Sequence, residues 1–248
     1  ALTLYGDMDI STIKTLPKGR IPIKTYLKKY SEMKDVLKMM YDELLKNHQI
    51  YVIAPLIEES ETLDLTTVNE LKDKMKIAFG DKYNVGIIHG KLKQNDKDKI
   101  MEDFINNKVQ ILISTTVIEV GVNVVNTTMI VIFDANRFGL STLHQLRGRV
   151  GRSSFESSCI LISDYDSERL NVMTTTNDGF EISEEDFKIR GHGDLFGTKQ
   201  SGDMTFKIAD IKSDYKILLQ AKKDSMEFLL NNKGDDLYKK IINQIKEG

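Results

Sequence analysis

Short, strongly apolar runs recur along this chain and constrain its fold more than any other feature. Ile50–Leu56 is apolar throughout and is interrupted only by Pro55. A strand that is apolar on both faces is typical of a parallel sheet with helices packed on both sides. Further strands are predicted at Val85–Ile88, Val109–Ser114, Met129–Phe133 and Ser158–Ile162, with a short edge strand at Tyr26–Tyr30. The chain is therefore predicted to build a parallel sheet.

Helical patterns lie between these strands. Glu32–Asn47 has apolar residues at i, i+3, i+4 and i+7, with Ser31 as its expected N-cap. Further helices are predicted at Leu65–Phe79, which ends at Gly80, and at Asp96–Asn107, and Glu58–Asp64 is predicted to be an acidic loop. Strands that alternate with helices at these lengths imply βαβ units with right-handed crossovers, so the predicted fold class is α/β.

The length of 248 residues suits one α/β domain with an appendage. Residues 1–23 contain several glycines and prolines and are predicted to be an entry linker to a sheet domain at residues 24–165. Residues 166–248 are predicted to form a mostly helical extension. Its predicted parts are a Thr-, Asn- and Asp-rich stretch at Asn171–Ser183, a short helix at Glu184–Ile189, a glycine-rich loop at Arg190–Gly202, and helices at Asp214–Leu230 and Leu237–Ile245.

Three arginines, Arg147, Arg149 and Arg152, lie close together between the last two strands and are separated by glycines. A guanidinium group is always charged and presents a planar fork of donors that matches phosphate oxygens. Such a cluster suits the charge that develops on a transferring phosphoryl group. The alternative is an arginine-rich helix end on a solvated surface, and the arginine spacing alone does not exclude it.

Gln145 stands at a defined offset from these arginines. The pattern Q-x-x-G-R-x-G-R, which runs from Gln145 to Arg152, resembles motif VI of the superfamily 2 helicases. The resemblance implies that Gln145, Arg149 and Arg152 face ATP and act in its hydrolysis. It also implies that the sheet domain is RecA-like, the parallel-sheet fold of P-loop NTPases.

A hydroxyl-rich segment follows one of the buried strands. Ser114, Thr115 and Thr116 stand at the strand end, and Glu119 and Gly121 come shortly after them. Taken alone, this segment fits a strand end that leads into the N-cap and first turn of a helix. It also resembles helicase motif V, which implies that the hydroxyls hold a nucleic-acid phosphate and that Glu119 and Gly121 lie near the nucleotide.

His89 and Gly90 follow another strand in the run I-H-G-K-L at residues 88–92. The run resembles the H-G-x-[ML] segment of the same superfamily, which implies contact with the DNA backbone, whereas a lone histidine is more often structural. Ligand sites of parallel sheets lie outside the carboxyl ends of the strands. We therefore expect His89, Thr115 and Asp134 at one edge of the sheet, with the arginine cluster beside them.

The segment Asp178–Gly202 narrows the resemblance. It resembles the TRG (translocation) motif of the RecG family, ATP-dependent helicases of branched DNA, and Ala54–Glu61 resembles the RecG form of motif IV. The resemblance extends over nearly the whole chain and implies a second RecA-like motor domain with the translocation motif attached.

Three residues of the translocation motif, Arg190, Lys199 and Gln200, are implied to couple closure of the ATP cleft to movement along DNA. A glycine-rich connector without a mechanical role is the alternative that composition alone favours. Two positions depart from the family. His192 stands where the family has a stiff proline, and Lys199 stands where it has an arginine, which keeps the charge but loses the planar fork.

The resemblance implies ATP as substrate, bound between this domain and a first RecA-like domain of the same polypeptide. The chain contains neither the phosphate-binding loop G-x-x-x-x-G-K-[ST] nor an acidic D-E-x-x run after a buried strand. We therefore expect ATP and Mg²⁺ to be bound mainly by the other domain, and the isolated chain to be inactive. The chain also begins without methionine, which predicts a piece of a longer protein.

Branched DNA, in the form of replication forks and Holliday junctions, is the partner that the resemblance implies. A net charge of −2 and a pI of about 6.2 mean that DNA contact must come from local patches. The single cysteine, Cys159, lies in an apolar run and is predicted to be a buried thiol. No apolar stretch approaches a membrane span, so we expect a cytoplasmic protein, and no metal-ligand spacing is found, so we expect no metal site in this chain. We also expect a monomer.

Two other functions remain open from the sequence. A transcription-repair coupling factor, which pushes RNA polymerase along DNA, shares a diverged form of the translocation motif. The loop Gly197–Gly202 favours RecG, because the coupling factor usually has G-E-E-Q-S-G there. A non-catalytic interaction module that keeps the fold but has lost the motor is the third possibility, and the intact motif VI pattern argues against it.

Overall fold

The structure is a computed structural model that describes residues 21–55, 61–115, 124–195 and 215–231, together with residues 236, 238–240 and 243. For residues 61–67, 187, 190–195, 215, 216, 218, 219, 222 and 229 it describes the backbone alone. The strands are β1 (Lys24–Lys28), β2 (Gln49–Ile53), β3 (Val85–Ile88), β4 (Ile111–Ser114), β5 (Thr127–Ile132) and β6 (Ser158–Ile162). The helices are α1 (Met33–Leu45), α2 (Glu61–Phe79), α3 (Gln94–Ile105), α4 (Leu140–Arg147), α5 (Glu168–Thr175), α6 (Gly179–Leu195) and α7 (Tyr215–Asn231).

The strands form one sheet in the order β1-β6-β5-β2-β4-β3, and every neighbouring pair is parallel. The predicted α/β class is therefore confirmed, and the first strand lies at an edge as predicted. Residues of β2, β4 and β5 are buried on both faces, which explains why their sequences are continuous apolar runs.

Two apolar clusters cover the two faces of the sheet. Alternate residues of β2 divide between them: Tyr51 belongs to one cluster and Val52 to the other. Helices α3, α4 and α5 contribute to the first cluster, and α1 and α2 to the second. The helices thus pack on both sides of the sheet, as the apolar strands require.

Because the strands are parallel, the residues that follow β3, β4 and β5 lie at the same edge. His89, Thr115 and Asp134 come directly after or within two residues of these strands. The expectation that they share the carboxyl edge of the sheet is confirmed.

The position expected for the arginine cluster was wrong. Helix α4 begins after the carboxyl end of β5, and the chain then returns to Ser158, the first residue of β6. A connection between parallel strands has to bring the chain back to the edge at which strands begin. Gly151 accordingly contacts the side chain of Ile23, next to the first residue of β1. The end of the cluster therefore lies towards the amino edge.

Several local predictions need correction. Ser31 is not the N-cap of α1, because it lies inside a 3-10 turn, Tyr30–Glu32, in which the Glu32 carboxylate accepts a hydrogen bond from the backbone N–H of Lys29 at 2.9 Å. Helix α2 begins at Glu61, so the second half of the predicted acidic loop is helical. Gly80 has φ +64, which agrees with its predicted role at the end of this helix.

The extension is more helical than predicted. Helix α5 and the start of α6 occupy much of the Thr-, Asn- and Asp-rich stretch, and α6 is longer than the short helix predicted there. Buried Leu170, Met173 and Ile182 hold these helices against the first apolar cluster. The backbone from Arg190 to Leu195, predicted as loop, continues the helix.

The chain divides into two compact units. Thr15–Ile189 is the unit that contains the sheet, and α7 belongs to the other. Within the described ranges, no helix combines the length and the apolar character that a membrane crossing needs. The same residues contain no group of three or more His, Cys, Asp or Glu side chains arranged to hold a metal ion.

Candidate functional site

Helix α4 presents Gln145 on its exposed side. Leu140, Leu143 and Leu146 are fully buried in the first apolar cluster, and their spacing of three residues fixes the inner face of the helix. Gln145 falls between two of them in sequence and is exposed. Its position leaves the amide free of the core.

The chain turns sharply after this helix. Gly148 caps its C-terminus, donating its N–H to the carbonyl of His144 at 3.0 Å. Val150 is fully buried, and Gly151 has φ +71, in the left-handed region that favours glycine. A Cβ on Gly151 would lie 2.7 Å from Cγ1 of Ile23. Both the backbone angle and the close approach therefore require glycine at this position.

Arg149 and Arg152 flank that turn. Arg149 is half-buried and Arg152 is exposed, whereas Val150 between them anchors the segment in the core. The Arg152 Nε donates to the Gly148 carbonyl at 3.0 Å, which folds its side chain back along the turn. Its terminal nitrogens, and the whole guanidinium of Arg149, make no hydrogen bond to any residue within the described ranges. These donors are available to an anion.

Arg147 does not belong with them. It is only 2% exposed, and its Nη1 donates to the carbonyls of Met173 at 2.9 Å and Thr176 at 2.8 Å. The same nitrogen reaches Oγ1 of Thr25 at 3.3 Å, and Nη2 lies 3.1 Å from Nδ1 of His144. Burial lowers the pKa of Arg147 from its ordinary value. Grouping it with the other two arginines in one cluster was wrong, because helical spacing from Leu143 turns its side chain inward.

The carboxyl edge carries the beginning of the predicted motif V. Ser114 and Thr115 are buried, and the carbonyl of Ser114 accepts a hydrogen bond from the N–H of Ala54 at 2.8 Å. This bond joins the ends of β4 and β2. The remaining predicted residues of this motif lie outside the described residues: Thr116, Glu119 and Gly121.

His89 and Gly90 lie at the same edge, after β3. His89 is half-buried, and its Nδ1 is enclosed with no hydrogen-bond partner among the described residues. Burial, with the positive charges of Lys97 and Lys91, lowers its pKa from the ordinary value, so the ring is neutral at pH 7. Lys97 donates to the Gly90 carbonyl at 3.3 Å. A Cβ on Gly90 would meet no described residue within 4 Å, so packing within the described part of the chain does not demand glycine there.

A hydrogen-bonded group at this edge was not predicted from the sequence. The phenol of Tyr30 donates to Oδ1 of Asp134 at 2.7 Å, and the N–H of Tyr30 donates to Oδ1 of Asp164 at 2.9 Å. Burial and the bond to Asp134 raise the pKa of Tyr30. Asp134 has φ +44, so its backbone lies in the left-handed region. An aspartate directly after an apolar strand was the available signal for such a turn.

The predicted coupling residues are mostly outside the described part of the chain. Arg190 is described as backbone of α6 without its side chain, and Lys199 and Gln200 are outside it altogether. Their roles stay predictions.

Comparison with known families decides the class of this domain. The helicase conserved C-terminal domain matches residues 28–154, about half of the chain. The chain belongs to this helicase C-terminal domain family. The sheet of the helicase domain is therefore RecA-like, as predicted. A second family, described as ATP-dependent DNA helicase RecG, domain 3, C-terminal, matches residues 176–247.

Curated relatives agree with both matches. ATP-dependent DNA helicase RecG of Bacillus subtilis is 48% identical over 236 residues, which is 94% of this chain and 35% of that protein. RecG of Staphylococcus epidermidis is 50% identical over 234 residues, covering 92% of this chain and 34% of that protein. The predicted resemblance to the C-terminal part of RecG is confirmed, and the chain spans about a third of these relatives.

A solved structure also matches the helicase domain and its extension. The structure of RecG bound to a three-way DNA junction aligns with a TM-score of 0.63 at 35% identity. The alignment covers 82% of this chain and 26% of that one.

Proposed function

We propose that this chain is the second motor domain, with the translocation motif, of a RecG-type ATP-dependent DNA helicase. The motor domain would comprise residues 24–165, preceded by a linker at 1–23 and followed by the extension at 166–248. The observation that carries the proposal is the presentation of Arg149 and Arg152 around the Gly151 turn, with guanidinium donors that no described residue uses.

In this proposal Arg149 and Arg152 reach the γ-phosphate of ATP across a cleft formed with the first RecA-like domain. The two guanidinium groups stabilise the charge that develops on the transferring phosphoryl group. The exposed amide of Gln145 senses the same phosphate, and Glu119 and Gly121 line the nucleotide. Magnesium would enter with ATP and be held mainly by the first domain.

The carboxyl edge of the sheet follows the DNA backbone in this proposal. Ser114, Thr115 and Thr116 supply hydroxyls, and His89 and Gly90 supply a neutral ring and an unhindered backbone. Phosphate contacts of this kind fix position without reading sequence. Branched DNA, meaning stalled forks and Holliday junctions in recombination and repair, is the substrate we propose. The relatives named RecG and the RecG structure with a three-way junction support it.

Arg190, Lys199 and Gln200 then convert closure of the ATP cleft into movement along the duplex. The match of residues 176–247 to the RecG domain supports this assignment. We further propose that the whole protein acts as a monomer in the cytoplasm or nucleoid.

Steady-state ATP hydrolysis by the full-length parent tests this function, with no DNA, a linear duplex or a model replication fork. We expect the fork to stimulate hydrolysis more than the linear duplex does. Equal stimulation would favour the transcription-repair coupling factor, and no hydrolysis under any condition would favour the non-catalytic module. The isolated chain should hydrolyse no ATP, and appreciable turnover by it would contradict the assignment of the phosphate site to another domain.

A further inference from the structure

The guanidinium of Arg147 joins α4 to the end of α5. Its Nη1 donates to the carbonyl of Met173, in the last turn of α5, and to the carbonyl of Thr176, the residue that follows the helix. Carbonyls at a helix C-terminus carry partial negative charge and lack partners within the helix. One buried guanidinium nitrogen donates to both carbonyls, so the end of α5 is fixed to the last turn of α4.

Further hydrogen bonds link the end of α5 to the first turn of α6. The Thr176 hydroxyl donates to Oε2 of Glu181 at 2.5 Å and accepts from the N–H of Asp178 at 3.0 Å. The Asp178 carboxylate in turn accepts from the N–H of Phe180 at 2.7 Å, which caps the helix. Thr176, whose carbonyl accepts a hydrogen bond from Arg147, is therefore also hydrogen-bonded to the start of α6.

His144 makes a second connection between α4 and α6. Its Nδ1 lies 3.1 Å from Nη2 of Arg147, and a Cβ on Gly179, the first residue of α6, would lie 2.9 Å from its Nε2. The two helices approach so closely here that a methyl group on Gly179 would displace the ring. Arg147, His144 and Gly179, with the carbonyls of Met173 and Thr176, form what we call the α4–α6 joint.

We infer that Arg147 is a positioning residue that ties the orientation of Arg149 and Arg152 to the position of α6. It stands two residues before Arg149, on the same turn that delivers the proposed ATP-facing arginines, while its side chain holds the entry to α6. A shift of that turn when the ATP cleft closes moves α6 with it. This inference rests on the proposed function and adds a residue to its coupling path.

The test measures base pairs unwound per ATP hydrolysed in the full-length parent on a model fork. Arg147→Lys keeps a positive charge, but its ammonium is one bond shorter than Nη1 and has no counterpart of Nη2, so it cannot hold the two carbonyls and contact His144 together. We expect ATP hydrolysis within about threefold of wild type and a loss of at least about tenfold in base pairs unwound per ATP hydrolysed. A proportional fall in both rates would mean a merely structural role and would overturn the inference, as would unchanged coupling.

Two further variants keep the test decisive if Arg147→Lys folds poorly. Gly179→Ala leaves the donors of Arg147 in place but forces the His144 ring and the start of α6 apart, and we expect a loss of coupling in the same direction. Adding His144→Ala makes room for the new methyl group and should restore at least half of the lost coupling. Failure of this rescue would count against the α4–α6 joint.

Thr25→Val is the matched control. It removes the longest hydrogen bond of Arg147, which reaches β1, and leaves the bonds to the ends of α5 intact. We expect base pairs per ATP to stay within about twofold of wild type, and a loss as large as that of Arg147→Lys would contradict the path through α6. If DNA does not stimulate ATP hydrolysis by the wild-type parent, the proposed function and this inference both fail. If the wild type is active and the Arg147 variants unwind as many base pairs per ATP as it does, the inference alone fails.

Discussion

Gly151 lies so close to Ile23 that a Cβ built on it would be 2.7 Å from Cγ1 and 3.0 Å from Cδ1 of that side chain. The contact fixes the arginine turn against the amino end of β1, and φ +71 at Gly151 sets its direction. The conformation of Gly151 therefore sets the position from which the Arg152 side chain extends.

Gly151→Ala should destabilise the chain strongly. A left-handed alanine costs about 1–2 kcal/mol and overpacking about 1–3 kcal/mol, so we expect a loss of about 2–5 kcal/mol in the free energy of unfolding. Urea unfolding followed by far-UV circular dichroism measures it. Ile23→Ala in the Gly151→Ala background should recover part of the loss, since it removes the clash but not the strained backbone. No destabilisation in the single variant would contradict the described contact.

Gly90→Ala separates stability from DNA contact. None of the residues that the structure describes lies within 4 Å of the added Cβ, so the free energy of unfolding should change by less than about 0.5 kcal/mol. If the DNA backbone approaches Gly90, the methyl group should weaken DNA binding by the full-length parent about tenfold, or about 1.4 kcal/mol. Fluorescence anisotropy with a labelled fork measures the affinity. Unchanged affinity would remove Gly90 from the proposed DNA path.

His89 should make the chain less stable in mild acid. Its folded-state pKa lies below the ordinary value of 6.5, so below that value the unfolded state takes up a proton that the folded state does not. Stability contributed by His89 is therefore present at neutral pH and is lost as the pH falls below the ordinary histidine pKa of about 6.5. The difference in unfolding free energy between wild type and His89→Gln should shrink or reverse over this range. A difference that does not change with pH would contradict the described burial.

Tyr30→Phe tests the group at the carboxyl edge that the sequence did not reveal. It removes the hydrogen bond to the Asp134 carboxylate and should cost about 1–2 kcal/mol, because the bond is to a charged group and partly exposed. Tyr165→Phe is the matched control, since Tyr165 is 72% exposed and its hydroxyl makes no hydrogen bond within the described ranges. Equal thermal stability of the two variants would refute a role for the Tyr30 hydroxyl.

The sheet was predictable from sequence because its strands are buried on both faces. β3 and β6 agree with their predicted bounds, and β2, β4 and β5 differ from theirs at one or both ends. Helix α5 was not foreseen, since threonines dominate its end and have weak helix propensity. Packing of Leu170 and Met173, with the Arg147 bonds beyond them, outweighs that propensity.

The arginine segment shows what a motif alone does not reveal. The pattern from Gln145 to Arg152 indicated the family, which the comparisons confirm, but adjacency in sequence placed Arg147 in the wrong group. The i, i+4 helical spacing from buried Leu143 would have put Arg147 on the buried face of α4. The segment reaches the amino edge of the sheet because the whole connection from β5 to β6 returns there. A short sequence motif contains no information about that path.

Steady-state ATP hydrolysis by the Arg152→Ala variant of the full-length parent, on fork DNA, tests the central claim most directly. Removing an arginine that stabilises a transferring phosphoryl group should lower the rate by about 10³- to 10⁵-fold, with an unchanged melting temperature. Lys24→Ala, which removes an exposed cation 2.8 Å from Glu156 near the same edge of the sheet, is the control and should keep the rate within about twofold. A near-normal rate in Arg152→Ala would contradict the assignment of this segment to the ATP site.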